Sequence, residues 1–298
     1  IDDVGIEMCR GFKGDYEKNY KSLFGNDPEL IHLRCAEPGK PLGFFAVNEE
    51  QLKALMEIEG GWFHEFHDHS RVQRVFGEID IKSDSAAFEY LDLKTVASFV
   101  QEAVKETLEE CGLVGEPECL LCGYESESKI SLHWIANATT ATGEERREFG
   151  RMVRANFGRR FALQCADNKE MAHLIDGLKD SLKKWFDVGP YSNNASLRLY
   201  GSRKTNKSPI KRYIPDTGSE RENVLCYSFN HVADYEAILV PVPETQQRSS
   251  FKASEGTGDV PRHPGTMKAL LEAFAANDDY YAFWNIEANW IQLLWATH

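Results

Sequence analysis

Glu78 and Asp80 stand one residue apart in the apolar run Val75-Phe76-Gly77-Glu78-Ile79-Asp80-Ile81. Side chains on a β-strand repeat with period two, so both carboxylates project from one face while Ile79 and Ile81 turn to the other. Carboxylates about 7 Å apart along a strand repel unless a cation lies between them. Such hard oxygen donors suit Mg²⁺ or Mn²⁺. Two solvated acids on an exposed edge strand would produce the same spacing.

A second alternating run, Lys129-Ile130-Ser131-Leu132-His133-Trp134-Ile135, puts Lys129, Ser131 and His133 on one face. An ammonium, a hydroxyl and an imidazole in a row supply donors for phosphate oxygens. A third group begins at Trp185-Phe186-Asp187, where an acid follows an apolar stretch. It continues through Leu197-Arg198-Leu199-Tyr200-Gly201-Ser202-Arg203-Lys204. Arg198 between two leucines is costly to bury unless it meets a carboxylate or a phosphate.

These segments need elements to hold them. Strands are expected at 42–47, 72–81, 118–121 and 130–136, and a strand pair at 185–188 and 197–200. Helices are expected at 94–111, 144–161 and 170–184, from apolar residues recurring at helical spacing. Strands and helices come mixed rather than in strict alternation, so the fold class is α+β. The core is expected over 1–240 and a loop or linker over 241–265. An aromatic helical segment, 266–298, would then dock back on that core.

The chain has 298 residues, of which 42% are hydrophobic and 27% charged, a globular composition. No apolar run is long enough to cross a membrane. Seven cysteines without a repeating spacing fit an intracellular, reducing compartment better than a disulfide framework. The chain begins at Ile1 without an apolar leader and reads as an excised domain. The net charge of −13 argues against nucleic-acid binding unless the basic residues are segregated. They are: Arg198, Arg203, Lys204, Lys207, Lys211 and Arg212 occur with no carboxylate among them, as a basic groove on an acidic protein would require. A second basic stretch, from Arg146 to Arg160, has acids beside it.

Taken in order, acid-x-acid, Ser-x-His, and apolar-Asp followed by Arg-Leu-Tyr and Lys resemble the catalytic core of the archaeo-eukaryotic primase superfamily, in particular its PrimPol-like members. The resemblance runs from about Arg71 to Lys207. It implies a DNA primase/polymerase, a nucleotidyltransferase joining NTPs or dNTPs on a single-stranded DNA template and primer. Carried over, Glu78, Asp80 and Asp187 would bind two divalent ions, Mg²⁺ or Mn²⁺. Ser131 and His133, with Lys129 in support, would hold the incoming triphosphate, and Arg198 and Lys204 would line the nucleotide pocket. Arg203, Lys207, Lys211 and Arg212 are expected on the nucleic acid. The family's usual first acid is Asp, and PrimPol ends its motif with Glu; here Glu comes first and Asp second. A helicase domain or replication protein is an expected partner, and a membrane is not.

Cys119-x-x-Cys122 lies in an expected strand rather than a knuckle, so no structural zinc is expected. Two other readings remain. One is a non-catalytic single-stranded nucleic-acid-binding module of the same fold. The other is a metal-dependent phosphohydrolase using His64, His67, Asp68 and His69, a segment read more plainly as a solvated turn.

Overall fold

The computed structural model describes residues 5, 6, 8–10, 27, 29–187, 189–192, 195–214, 223–232 and 235–243. The chain divides into two units, Ile1–Pro241 and Val242–His298. All elements given below belong to the first. The expected linker, beyond its first three residues, and the aromatic segment 266–298 lie outside the described residues.

In chain order the first half contains β1 (Cys9–Arg10), β2 (Ile31–Cys35), β3 (Gly43–Val47), α1 (Glu49–Glu57), β4 (Phe63–Phe66), β5 (Gln73–Lys82) and α2 (Leu93–Glu110). The second half contains β6 (Cys119–Ser126), β7 (Lys129–Thr140), α3 (Gly143–Asp167), α4 (Leu178–Trp185), β8 (Ser196–Arg198), β9 (Arg212–Tyr213) and β10 (Glu236–Ala237). The fold is α+β, with two sheets. One is antiparallel in the order β1-β3-β2-β4-β8. The other is built on β7, flanked by β5 and β6 with β9 beyond, all antiparallel, while β10 joins β7 in parallel.

The second sheet separates its side chains by parity. Ile79 and Ile81 on β5 and Ile130, Leu132 and Trp134 on β7 are each fully buried. This face is covered by α2 and α3, and Trp134 packs on Phe149 of α3. Along α3, Phe149, Val153, Phe157 and Phe161 form one buried stripe at spacing four, as a helix laid on a sheet demands. Thr142 and Glu145 start that helix with a reciprocal capping box, satisfying donors that would otherwise be orphaned. The opposite face carries the polar residues at one end, beside buried Phe76, Leu120, Cys122 and Ile135.

The third group of residues departs from the expected strand pair. Leu178, Leu182 and Trp185 recur at helical spacing, and all three are buried on α4. Trp185 therefore closes a helix against Phe157 and Phe161 rather than opening a strand. The expected helix over 170–184 starts only at Leu178, because Gly177 adopts a left-handed φ of 85°. Of the expected strand at 185–188, Phe186 alone among the described residues pairs, as a single antiparallel bridge to Ile79. β8 pairs with β4 instead. The His64–His69 segment is likewise not a solvated turn throughout: His64, Glu65 and Phe66 lie on β4 between β2 and β8, and His67 is buried.

Candidate active site

Cross-strand register assembles the site. β5 pairs with β7 so that Glu78 faces His133, Asp80 faces Ser131 and Lys82 faces Lys129. β6 adds Cys122 beside His133 and Tyr124 beside Ser131. The two carboxylates and the three phosphate-type donors thus share one sheet face, on neighbouring strands.

The contacts divide that face into two centres. Asp80 accepts from Lys129 Nζ at 2.5 Å through Oδ2 and from Ser131 Oγ at 2.6 Å through Oδ1. Glu78 Oε1 lies 3.2 Å from His133 Nε2 and 3.6 Å from Lys211 Nζ. Burial works against ionisation of Glu78, but His133, Lys211 and Lys129 outweigh it and hold the carboxyl well below its usual range. Burial and the Lys211 ammonium push the His133 imidazole down to about 4, against the pull of Glu78. Near neutral pH, His133 is therefore an uncharged N–H donor to an ionised carboxylate. Lys211 is pushed down to about 8 by burial, against the pull of Glu78, and stays mainly protonated at pH 7.

Lys211 was expected among cations reaching nucleic acid; it is instead completely buried against Glu78. A basic residue in a polar loop gives no sequence signal of this, because only the turn between β8 and β9 carries it inward. Of the other expected nucleic-acid cations, Arg212 is exposed and pairs with Glu59, and Lys207 is exposed. Arg203 is half-buried, its backbone N–H donating to Gly61 O at 2.8 Å. Lys204 is also exposed and is not among the groups around Glu78.

Arg198 does reach the site. It pairs across β8 and β4 with His64, which in turn pairs across β4 and β2 with Arg34. Arg34, His64 and Arg198 form a row on one face of the first sheet. His64 lies within electrostatic reach of Arg34, Arg198, His133 and Glu78, so the row is near the carboxylates. Burial, reinforced by the two arginines, pushes His64 down to about 3 and keeps it neutral. Arg198 Nη1, His64 Nδ1 and Lys211 Nζ are buried without a hydrogen-bond partner among the described residues. Buried donors left open are costly and mark a place for an acceptor-rich ligand. Arg34 and His64 were not singled out as nucleotide ligands from the sequence. The alternation Ile31-His32-Leu33-Arg34-Cys35 carried the signal, since it places a basic pair on one strand face.

Asp187 comes close by register alone. The Phe186–Ile79 bridge places it beside Glu78 at the sheet edge. Its carboxylate is exposed and accepts from Gly189 N–H at 2.7 Å. The turn is anchored by Tyr191, whose hydroxyl donates to Phe76 O at 2.6 Å. The ring fits because Gly77 and Gly150 lack side chains; a Cβ on either would fall within 2.6 Å of that hydroxyl oxygen.

The donor set is compatible with a divalent ion as far as Glu78 and Asp80 go: ionisable carboxylates on one face, each partly open, with oxygen donors of the type Mg²⁺ prefers. Among the described residues, no group of three or more His, Cys, Asp and Glu is gathered closely enough to hold a metal. Cys119 and Cys122, three apart on β6, point to opposite faces, and burial pushes the Cys122 thiol up to about 11.

The remaining candidates have structural partners. His67 contacts Ser192 O through Nδ1 and accepts from Arg146 Nε through Nε2, and His69 Nε2 lies 2.8 Å from Tyr191 O. The His64–His69 segment is thus split among different neighbours. In the second basic stretch Arg146 is completely buried, Arg151 pairs with Glu148, and Arg159 and Arg160 pair with Glu106 on α2. No described helix is long and apolar enough to cross a membrane. Neither the protein-family models nor the curated proteins compared with this chain contain a match.

Proposed function

We propose that this chain is a template-directed nucleotidyltransferase, a primase-polymerase catalytic domain of the archaeo-eukaryotic primase type, joining NTPs or dNTPs on a single-stranded DNA template. The observation that carries the reading is the meeting of two strand carboxylates with a pocket of buried, unsatisfied cationic and imidazole donors. Phosphoryl and nucleotidyl transfer need both, one to manage the reacting hydroxyl and the other to neutralise charge on the phosphates.

Glu78 and Asp80 would hold Mg²⁺ or Mn²⁺, which when bound would lower the pKa of the attacking 3′-hydroxyl and offset charge on the α-phosphate; Asp187 is not gathered with them in this structure and would have to move in to join them. The chain's own residues do the rest. Ser131 and His133 would turn their donors from Asp80 and Glu78 to the triphosphate, and Lys129 adds a charge beside them. Arg198 binds from the first sheet, with its unpartnered Nη1 available to a phosphate oxygen. Lys211 holds Glu78 ionised and in place. A nucleotide bound here would exchange protein–protein ion pairs at Asp80 for protein–phosphate pairs.

The test is extension of a labelled primer on a single-stranded template, with Mg²⁺ and with Mn²⁺, beside Asp80→Ala. Template-directed incorporation that disappears in the variant is the expected result. A chain that binds template yet incorporates nothing with either ion would instead be a binding module of this fold.

A further inference from the structure

A cavity of about 480 Å³ opens at the end of the β4–β8 ribbon, outside the carboxylate centre. Its size is in the range of sites for small organic ligands. Trp62, Phe63 and Ile58 make an apolar wall, and Arg203 closes one side. Gly60, at a left-handed φ of 74°, lets the guanidinium lie where a side chain would stand: a Cβ there would meet Arg203 Nη2 at 2.1 Å. The ribbon is held by Phe63 N–H to Ser202 Oγ at 3.3 Å and Arg203 N–H to Gly61 O at 2.8 Å.

Two features identify the occupant. Trp62 Nε1 and Arg203 Nε are buried donors without a hydrogen-bond partner among the described residues, while Arg203 Nη1 donates to Asn206 O at 3.3 Å, so the cavity offers two open donors to an acceptor-bearing ligand. Glu37 and Glu59, paired with Lys40 and Arg212, also border it, so with Arg203 as its one lining cation among the described residues the cavity is not built for a phosphate. A flat, acceptor-bearing, uncharged ring satisfies both conditions. Trp62 precedes His64 by two residues, about 7 Å of extended chain, so the cavity opens near one end of the cationic row, whose residues do not line it. That spacing suits a nucleotide with its phosphate on the row and its base in the cavity.

We infer that this cavity receives one base of the single-stranded nucleic acid, stacked on Trp62 and hydrogen-bonded by Arg203. The inference rests on the proposed polymerase reading and adds to it where the strand's base is captured.

The experiment uses single-stranded oligonucleotides with 2-aminopurine walked through successive positions. They are bound without divalent ions to the chain carrying Asp80→Ala, with affinity read by anisotropy of a terminal dye. One position should change in 2-aminopurine fluorescence severalfold on binding. Trp62→Ala should remove that change and weaken binding about tenfold, the scale of one lost base–aromatic stack. Asn206→Trp, at an exposed rim position that leaves the core alone, should remove the change by filling the opening. Binding without any position-dependent change, or a change that survives both substitutions, overturns the base pocket and leaves the polymerase reading standing. A chain that extends no primer but shows the change keeps the pocket and loses the catalytic reading. Absence of any oligonucleotide binding overturns both.

Discussion

Glu78 and Asp80 sit two positions apart on one strand face, yet their surroundings differ. Asp80 is bridged by a half-exposed lysine and a hydroxyl, an arrangement that a ligand can displace. Glu78 is enclosed by His133 and by Lys211, which has no exposure at all. Removing one partner of a buried ion pair leaves an uncompensated charge, at a cost of about 3–5 kcal/mol. Lys211→Met should therefore lower unfolding stability by about 3 kcal/mol in urea titrations; a change below about 0.5 kcal/mol would show that the pair contributes nothing net. His133→Ala should raise the apparent KM for nucleotide about tenfold with a smaller change in kcat, because it removes one N–H from the phosphate site, and should also lower stability through its lost contact with Glu78. An effect confined to DNA affinity would contradict that placement.

At the scale of elements, β4 has two duties. His64 turns toward the carboxylate centre, while its neighbour Glu65 turns into the interior, where it accepts from Ser228 Oγ at 2.5 Å and from Asn230 Nδ2 at 3.1 Å. Burial pushes the Glu65 carboxyl up to about 7, against those hydrogen bonds and the Arg74 charge. A folded-state pKa above the ordinary 4.5 means the folded chain binds the extra proton between the two values. This contribution to stability is complete below pH 4.5 and is lost as pH rises through 7. Glu65→Gln should thus be close to neutral at pH 4 and increasingly stabilising towards pH 8. Equal effects at both values, measured by urea denaturation, would place the proton elsewhere.

Across the whole molecule, the imidazoles outweigh Glu65. His32, His64 and His67 are pushed down to about 3 and His133 to about 4, with burial the largest cause in each. Their folded values lie below the ordinary 6.5, so the unfolded chain binds more protons between the two. Stability from these groups is complete above pH 6.5 and falls as pH drops toward 4, each group contributing up to about 1.4 kcal/mol per pH unit. The urea midpoint should decline steadily from pH 7 to pH 5, and a flat profile would mean these side chains are not buried neutral. The −13 net charge makes local rather than overall charge decisive for single-stranded DNA. With about four phosphate contacts, the logarithm of the affinity should fall with the logarithm of salt at a slope near −3. A slope near zero would remove the phosphate-binding role of the cationic row.

What was legible beforehand follows strand and helix periodicity. Period-two alternation put Glu78 with Asp80, and Lys129 with Ser131 and His133, each set on one face, and the observed strands keep those assignments. Helical spacing likewise located α2 and most of α3. It was overridden at 170–184, where one left-handed glycine interrupts the pattern, and at Trp185, whose short apolar run fits a strand or the last turn of a helix equally well.

Local pattern states which side chains share a face, because that depends only on backbone geometry over a few residues. It does not state which strand lies opposite, since pairing is settled by burial summed over the whole core. The β5–β7 register that sets Glu78 against His133, the β4–β8 pairing that brings Arg198 and His64 to that face, and the turn that buries Lys211 are all contacts between residues distant in the chain. The sequence by itself determined the chemistry available, carboxylates on one strand and donors on another. Only the tertiary structure decided that they meet, and that Lys211 joins them inside while Lys204 and Lys207 stay in solvent.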